Sequence, residues 1–277
     1  MTLLSKIRVG LLSTLILSTT FTALPAQAEP TPHTVTPSIT EADIVTFDAN
    51  GTLWAYSSDA RIPDDPLSRR QVGSGWTVMR DLKTADWNQD GIQDIVAVGK
   101  NGNLYVYYGA PAGGFTRTTI GTGWGSYDIS VVRWKVTDAY PSIIAVNSET
   151  GALYNYPNLS GSVLSPRVVE GSGWGSITHH VTDWDGDADA DILGQHSGTG
   201  NMILYRTNGN GNFIDEPRIV VGRGWNVMNM VESSSMLEYP GLMARTDDGN
   251  LYLYQIREGR WLRVHIGTGW NGYTLAF

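Results

Sequence analysis

Hydrophobic positions along this chain come in short bursts of about five residues, and no stretch carries a convincing helical period. In five places a short apolar run is followed by a turn pair and then by a strictly alternating run: ADIVTFDANGTLWAYSS, QDIVAVGKNGNLYVYYG, PSIIAVNSETGALYNYP, ADILGQHSGTGNMILYR and PGLMARTDDGNLYLYQI. An apolar run, a turn rich in Asn, Gly or Asp, and an alternation such as LYVY together predict a β-hairpin. A further strand follows each hairpin, as in RRQVG, RTTIG and RVHIG, and a fourth comes after it, as in YDISVVRW and SITHHVTDW.

A second phrase keeps step with the hairpins. Gly-x-Gly-Trp opens at Gly73, Gly121, Gly171, Gly222 and Gly267, which places Trp76, Trp124, Trp174, Trp225 and Trp270 at intervals of 45 to 51 residues. Five copies at that period define a repeat architecture. Four strands of about five residues with their turns fill one such period, which is the size of a propeller blade. The fold class expected is therefore all-β: a five-bladed β-propeller of four-stranded blades. The first repeat begins directly with DIVTF and lacks the strand that should precede it, whereas the last ends on that strand, YTLAF. The two are expected to share one blade, closing the ring and leaving no free sheet edge.

Two resemblances follow from these residues. The loop DWNQDGIQDIVAV with the following GNLYVYYG resembles the FG-GAP or VCBS repeat of integrin α-chain propellers and secreted bacterial proteins. The phrase IGTGWNGYTLAF, five times repeated, resembles tachylectin-type lectins, which are five-bladed propellers binding N-acetylated sugars. The likeness implies a propeller over the whole folded region and says less about function, since propellers host many activities.

Two repeats carry dense carboxylates between strands. Asp86, Asn88, Asp90 and Asp94 in the first, and Asp183, Asp185, Asp187 and Asp191 in the second, put oxygen side chains at loop positions 1, 3, 5 and 9. So many carboxylates on one short loop repel one another without a cation, and hard oxygen ligands on alternating residues suit Ca²⁺. Position 7, Ile92 or Asp189, would offer a backbone carbonyl. An EF-hand is ruled out because Ala97 and Gly194 stand at the twelfth position, where a bidentate Glu is required. The pattern matches the FG-GAP calcium loop, except that Ala188 replaces the usual Gly. Two calcium ions are expected, in a structural role. The other repeats have lost the pattern, and the first keeps only Asp43.

The repeated tryptophans admit two readings. In one, glycine permits a sharp bend and the indole packs between neighbouring blades. In the other, a half-exposed indole forms a sugar platform at each junction, and five copies supply avidity. Trp76, Trp124, Trp174, Trp225 and Trp270 are thus the candidate ligand residues. The residue after each is Thr77, Gly125, Gly175, Asn226 or Asn271, so five such sites would differ chemically. A second set, Trp87, Trp134 and Trp184, lies beside the acidic loops and is expected to pack.

Lys6 and Arg8, an apolar run to about Leu17, and Ala26-Gln27-Ala28 predict a cleaved secretory signal over residues 1–28. A Pro- and Thr-rich flexible segment is expected over 29–42, then the propeller over 43–277. The formal charge of −8, more negative once the leader is removed, argues against nucleic acid or an anionic membrane as partner. No apolar run is long enough for a membrane span. With no cysteine there are neither disulfides nor thiol chemistry. The five histidines fall in no HExxH pattern, and no GxSxG turn is present, so no catalytic residues are assigned. The expectation is a secreted, extracellular, monomeric recognition module, free or associated with the cell surface. It would bind cell-surface or cell-wall glycans as a lectin does. The alternative is a protein-binding or adhesion propeller without sugar specificity, and a carboxylate-based glycosidase is the remote one.

Overall fold

The computed structural model describes residues 38–57, 68–234 and 239–276. The leader expected over 1–28, most of the segment over 29–42, and Phe277 lie outside the described residues. Five four-stranded antiparallel sheets are arranged as a five-bladed propeller. Blade 1 holds β1 (Asp43–Phe47), β2 (Leu53–Ser57) and β3 (Ser68–Gly73), together with β20 (Thr274–Ala276). Blade 2 comprises β4 (Met79–Ala85), β5 (Asp94–Gly99), β6 (Leu104–Gly109) and β7 (Phe115–Gly121). Blade 3 runs through β8 (Tyr127–Val132), β9 (Ser142–Asn147), β10 (Ala152–Tyr156) and β11 (Val168–Gly171). Blade 4 is β12 (Ile177–Thr182), β13 (Asp191–His196), β14 (Met202–Tyr205) and β15 (Ile219–Gly222). Blade 5 is β16 (Met228–Ser234), β17 (Gly241–Thr246), β18 (Leu251–Arg257) and β19 (Arg260–Gly267).

Burial follows the order of strands in a blade. The strand one in from the axis is enclosed on both faces, as in β1 and β5, where every residue is buried. Sheets that pack face to face around a ring cover both sides of this strand, which is why it reads as an uninterrupted apolar run. The outermost strands β3, β7 and β19 have no buried residue and carry Arg and Thr at several exposed positions. Each outer strand is bulged where it meets the start of its partner, at Leu53/Trp54, Leu104/Tyr105, Leu153/Tyr154, Met202/Ile203 and Leu251/Tyr252. The extra residue bends the strand just before Gly-x-Gly-Trp and directs the chain towards the next blade.

The ring closes as the strand order requires. β20 pairs antiparallel with β1, matching Val45 to Ala276, Thr46 to Leu275 and Phe47 to Thr274. The Thr46 hydroxyl adds a hydrogen bond to the Thr274 carbonyl at 2.7 Å. Ahead of β1, within the segment expected to be a flexible lead-in, Ile39 is buried in the cluster that holds Val45, Phe47 and Trp76. Arg70 ties that stretch down by donating to the Ser38 carbonyl and pairing with Asp43. Packing of this one apolar side chain brings residues before position 43 into the fold.

Because Leu275 and Ala276 are buried at the closure, Leu275→Ala is expected to cost about 2–4 kcal/mol. Deleting Tyr273 to Phe277 should lower the melting temperature far more, since it exposes a sheet edge as well. An unchanged melting curve for the truncated chain would contradict closure by β20.

Candidate functional site

The five Gly-x-Gly-Trp turns are built alike. Each tryptophan amide donates to the carbonyl of a hairpin glycine in the blade it leaves: Trp76 to Gly51, Trp124 to Gly102, Trp174 to Gly151, Trp225 to Gly200 and Trp270 to Gly249, at 2.8–3.0 Å. Each indole then meets a tyrosine of the blade it enters. The pairs are Trp76–Tyr107, Trp124–Tyr156, Trp174–Tyr205, Trp225–Tyr254 and Trp270–Tyr56, with ring centroids 4.5–4.8 Å apart. The two glycines of the motif do different work. The first lies under the indole: a Cβ at Gly73 would stand 2.7 Å from Trp76 Nε1, and the approach is closer still at Gly121 and Gly222. The second has open space around it but a left-handed backbone, with φ +80° at Gly123.

The indoles are only 5–6% exposed. The burial supports the packing reading of these five residues and leaves no half-open ring as a platform. What each junction presents to solvent is another side chain. An arginine stands seven residues before every motif tryptophan, at Arg69, Arg117, Arg167, Arg218 and Arg263, and all five are exposed. Their guanidinium carbons lie 4.3 Å from the Trp54 ring, 5.1 Å from Tyr105, 4.3 Å from Tyr154, 5.0 Å from Tyr205 and 4.9 Å from Tyr252. In blade 1, Arg69 Nη1 also donates to the Tyr56 and Tyr273 hydroxyls; in blade 3, Arg167 Nη1 donates to those of Tyr127 and Tyr156. The pattern Arg-x-x-x-Gly-x-Gly-Trp is present in all five copies, so its spacing was legible in the sequence. Its meaning was not, because the arginine's partners come from other strands.

The acidic loops occupy the opposite face, at the far end of the innermost strands. Six residue steps of β4 at about 3.3 Å each separate the two faces by roughly 20 Å. Asp183, Asp185 and Asp187 bring carboxylate oxygens within 4.8 Å of one another. The Asp189 amide favours the charge on Asp187, but partial burial and the neighbouring carboxylates outweigh it and raise its pKa. Arg206 offsets part of this charge by donating to Asp185 at 2.9 Å. In the first loop Asp86 accepts from the amides of Asp90 and Gly91, Asn88 Oδ1 from Asp90, and Asp90 from Ile92. Both loops are left-handed at positions 4 and 6, through Gln89 (φ 59°) and Gly91 (85°) in one and Gly186 (85°) and Ala188 (69°) in the other. Ala188 is thus accommodated in the backbone that Gly91 adopts. The Asp189 side chain lies against Gly209.

The ninth residues are turned inward. Asp94 accepts from the amides of Trp87 and Gly109, and Asp191 from those of Trp184 and Thr207. Burial raises their pKa values to about 6 and about 7. Each therefore joins the loop to the hairpin beside it. Trp87, Trp134 and Trp184 are buried as expected, each met by a residue of the following blade: Asn158 donates to the Trp87 carbonyl, Phe213 packs on Trp134, and Trp261 of β19 packs on Trp184.

A polar cluster on the innermost strands was not foreseen. Lys83 Nζ lies 3.0 Å from Asp81 and 2.6 Å from Glu232. Burial opposes its charge, but the two carboxylates prevail and raise its pKa. His179 faces Asp128 at 3.4 Å and the Ile144 carbonyl at 3.2 Å. A cavity of about 370 Å³, lined by Glu41, Asp86, Gln93, Thr182, Asp183 and Ser233 among others, opens beside the acidic loops. These residues are gathered from several strands and loops, and no repeat marks them.

No family model matches the chain, and no curated protein matches it in sequence. Among solved structures it is similar to a lectin of Agrocybe aegerita, described as recognising non-reducing terminal N-acetylglucosamine, with a TM-score of 0.50 and 11% identity over 87% of this chain and 82% of the lectin. It is also similar to the Photorhabdus luminescens Tc holotoxin pore, with a TM-score of 0.43 and 14% identity over 81% of this chain and 12% of that one. At such identities the likeness to the lectin speaks for the fold alone. The chain is a five-bladed β-propeller with a lectin as a structural neighbour.

Two measurements check the junctions and the inner strands. Trp124→Ala should cost about 3–5 kcal/mol, Gly121→Ala about 1–3 and Gly123→Ala about 1–2, read from denaturant unfolding. A cost below about 1 kcal/mol for Trp124→Ala would remove the indole from the packing account. Burial lowers the pKa of His180 to about 4, whereas an unfolded histidine protonates near 6.5. This stability is intact above pH 6.5 and is lost as pH falls through 4, amounting to about 2–3 kcal/mol by pH 4.5. His180→Asn should flatten that part of the profile relative to the parent; an unchanged slope would contradict it.

Proposed function

We propose that this protein is an exported, calcium-stabilised propeller that recognises glycans multivalently and is not an enzyme. The observation that carries the reading is the fivefold identity of the junction: Tyr, Arg, Gly, Gly and Trp recur in every blade while the residues between them vary. Inter-blade packing accounts for the buried Trp, Tyr and Gly, but it does not call for an exposed arginine stacked on an aromatic ring in all five blades. Repeated, weak, solvent-facing sites suit a surface that presents many copies of one sugar. The lectin of similar fold shows that a propeller of this kind can carry sugar sites.

Calcium fits the acidic loops by donor chemistry: hard oxygens on alternating residues of a left-handed turn. Asp183, Asp185, Asp187 and the Asp189 carbonyl would hold one ion, with Asp191 fixing the loop from behind. Asp86, Asn88, Asp90 and the Ile92 carbonyl would hold the other, with Asp94 in the same supporting place. Each ion would neutralise clustered carboxylates and stiffen a loop on the face opposite the junctions. Extracellular calcium modules bind at about 0.1–1 mM, and tenfold excess over that constant adds roughly 1.4 kcal/mol per site.

One observation favours the protein-binding alternative. Blade 3 carries a loop with Leu159 and Val163 exposed at 63% and 57%, a local feature that the other blades lack at the equivalent place among the described residues. A glycan array with and without calcium separates the readings. The expected result is retention on several glycans, competed by free sugar, together with a calcium-dependent rise of a few degrees in melting temperature. A folded protein that retained no glycan in either condition would sink the glycan reading. No heat of calcium binding by calorimetry would sink the metal assignment.

A further inference from the structure

We infer that the junction arginines select carboxylated saccharides, so that the glycans bound at the five stations are acidic ones; this rests on the glycan reading above. The argument starts from charge. The chain carries 27 acidic against 19 basic side chains, so an arginine has carboxylate partners to spare. Yet Arg69, Arg117, Arg167, Arg218 and Arg263 form no ion pair among the described residues, whereas Arg70, Lys83 and Arg206 do. Five unpaired guanidinium groups at equivalent places in an acidic protein form a built cationic array.

The geometry narrows the ligand. One face of each guanidinium is covered by an aromatic ring, which holds it in place and restricts its rotamers. In blades 1 and 3 a single nitrogen, Nη1, is engaged by tyrosine hydroxyls. The Nε–Nη2 edge of Arg69 and of Arg167 has no protein partner among the described residues, and that edge is the fork that grips a planar carboxylate through two parallel hydrogen bonds. An ammonium in the same place would offer charge without that fork. A sugar whose carboxylate takes the fork sets its ring beside Trp54 or Tyr154, both only partly buried, where apolar C–H groups can pack. Blades 1 and 3, with two hydroxyls fixing each guanidinium, are the best-formed stations.

The test uses the full propeller and a panel of uronate oligosaccharides and sialyl oligosaccharides, each beside its carboxyl methyl ester, with neutral chitooligosaccharides and dextran sulfate as further arms. The expected result is binding of carboxylated members that falls at least tenfold on esterification and weakens with added salt. Arg69→Gln with Arg167→Gln should reduce it at least tenfold with the melting temperature preserved, and lysine at both places should restore only part. Should the double variant fail to fold, the parent's response to esterification still decides. Equal binding of acid and ester, or binding that follows charge alone with dextran sulfate foremost, overturns the inference. Binding confined to chitooligosaccharides overturns it and leaves the glycan reading standing; no binding to any arm overturns both.

Discussion

The contact between one blade's tryptophan and the next blade's tyrosine is the interaction on which the rest of this propeller depends. A four-stranded sheet with both faces apolar cannot stand in water alone, and here each sheet is joined to its neighbour by the same aromatic pair. The pair forms only because a glycine beneath the indole has no side chain and a second glycine takes the left-handed turn that swings the ring across the gap. Offset aromatic contacts of this kind add about 0.5–1.5 kcal/mol beyond area burial. Repeated five times round a closed ring, they hold every junction at one spacing. The strand shared between the two ends of the chain completes the set, since Trp270 packs on Tyr56 across that closure.

Fixing the junctions in this way separates two faces. The Gly-x-Gly-Trp turns lie at one end of the inner strands, and the carboxylate loops lie at the other. Each arginine stands at or near the start of an outer strand whose far end carries the Gly-x-Gly-Trp turn, and in blade 4 Pro217 and Ile219, the neighbours of Arg218, line a pocket with Asp185 of the second acidic loop. A cation in the loops would act on their rigidity. The buried polar cluster on the inner strands joins blades too, through Lys83 of β4 reaching Glu232 of β16. Taking such groups out of water is costly unless they are fully paired, so the cluster contributes more to the registration of blades than to net stability.

How much of this could be read from the chain depends on the range of the interaction. Blade number, hairpin positions and closure were legible because each is a local pattern repeated at one period, and a repeat multiplies a weak signal. The acidic loops were legible as oxygen-rich stretches of fixed spacing. The inward turn of Asp94 and Asp191 was not, because their amide partners Gly109 and Thr207 lie 15 and 16 residues on, at or just beyond the far end of the partner strand. Nor was the place of Ile39 in the core, since a lone isoleucine in a Pro- and Thr-rich stretch carries no periodic mark.

By itself, then, the sequence determined the architecture: turn residues and alternation specify hairpins locally, and five copies with one strand displaced specify a closed ring. Only the tertiary structure decided what the repeated residues do. Burial of the indoles, exposure of the arginines and the pairing of Lys83 with a residue 149 positions away arise where separate strands meet. That meeting depends on how sheets pack face to face, which no local pattern of residues records.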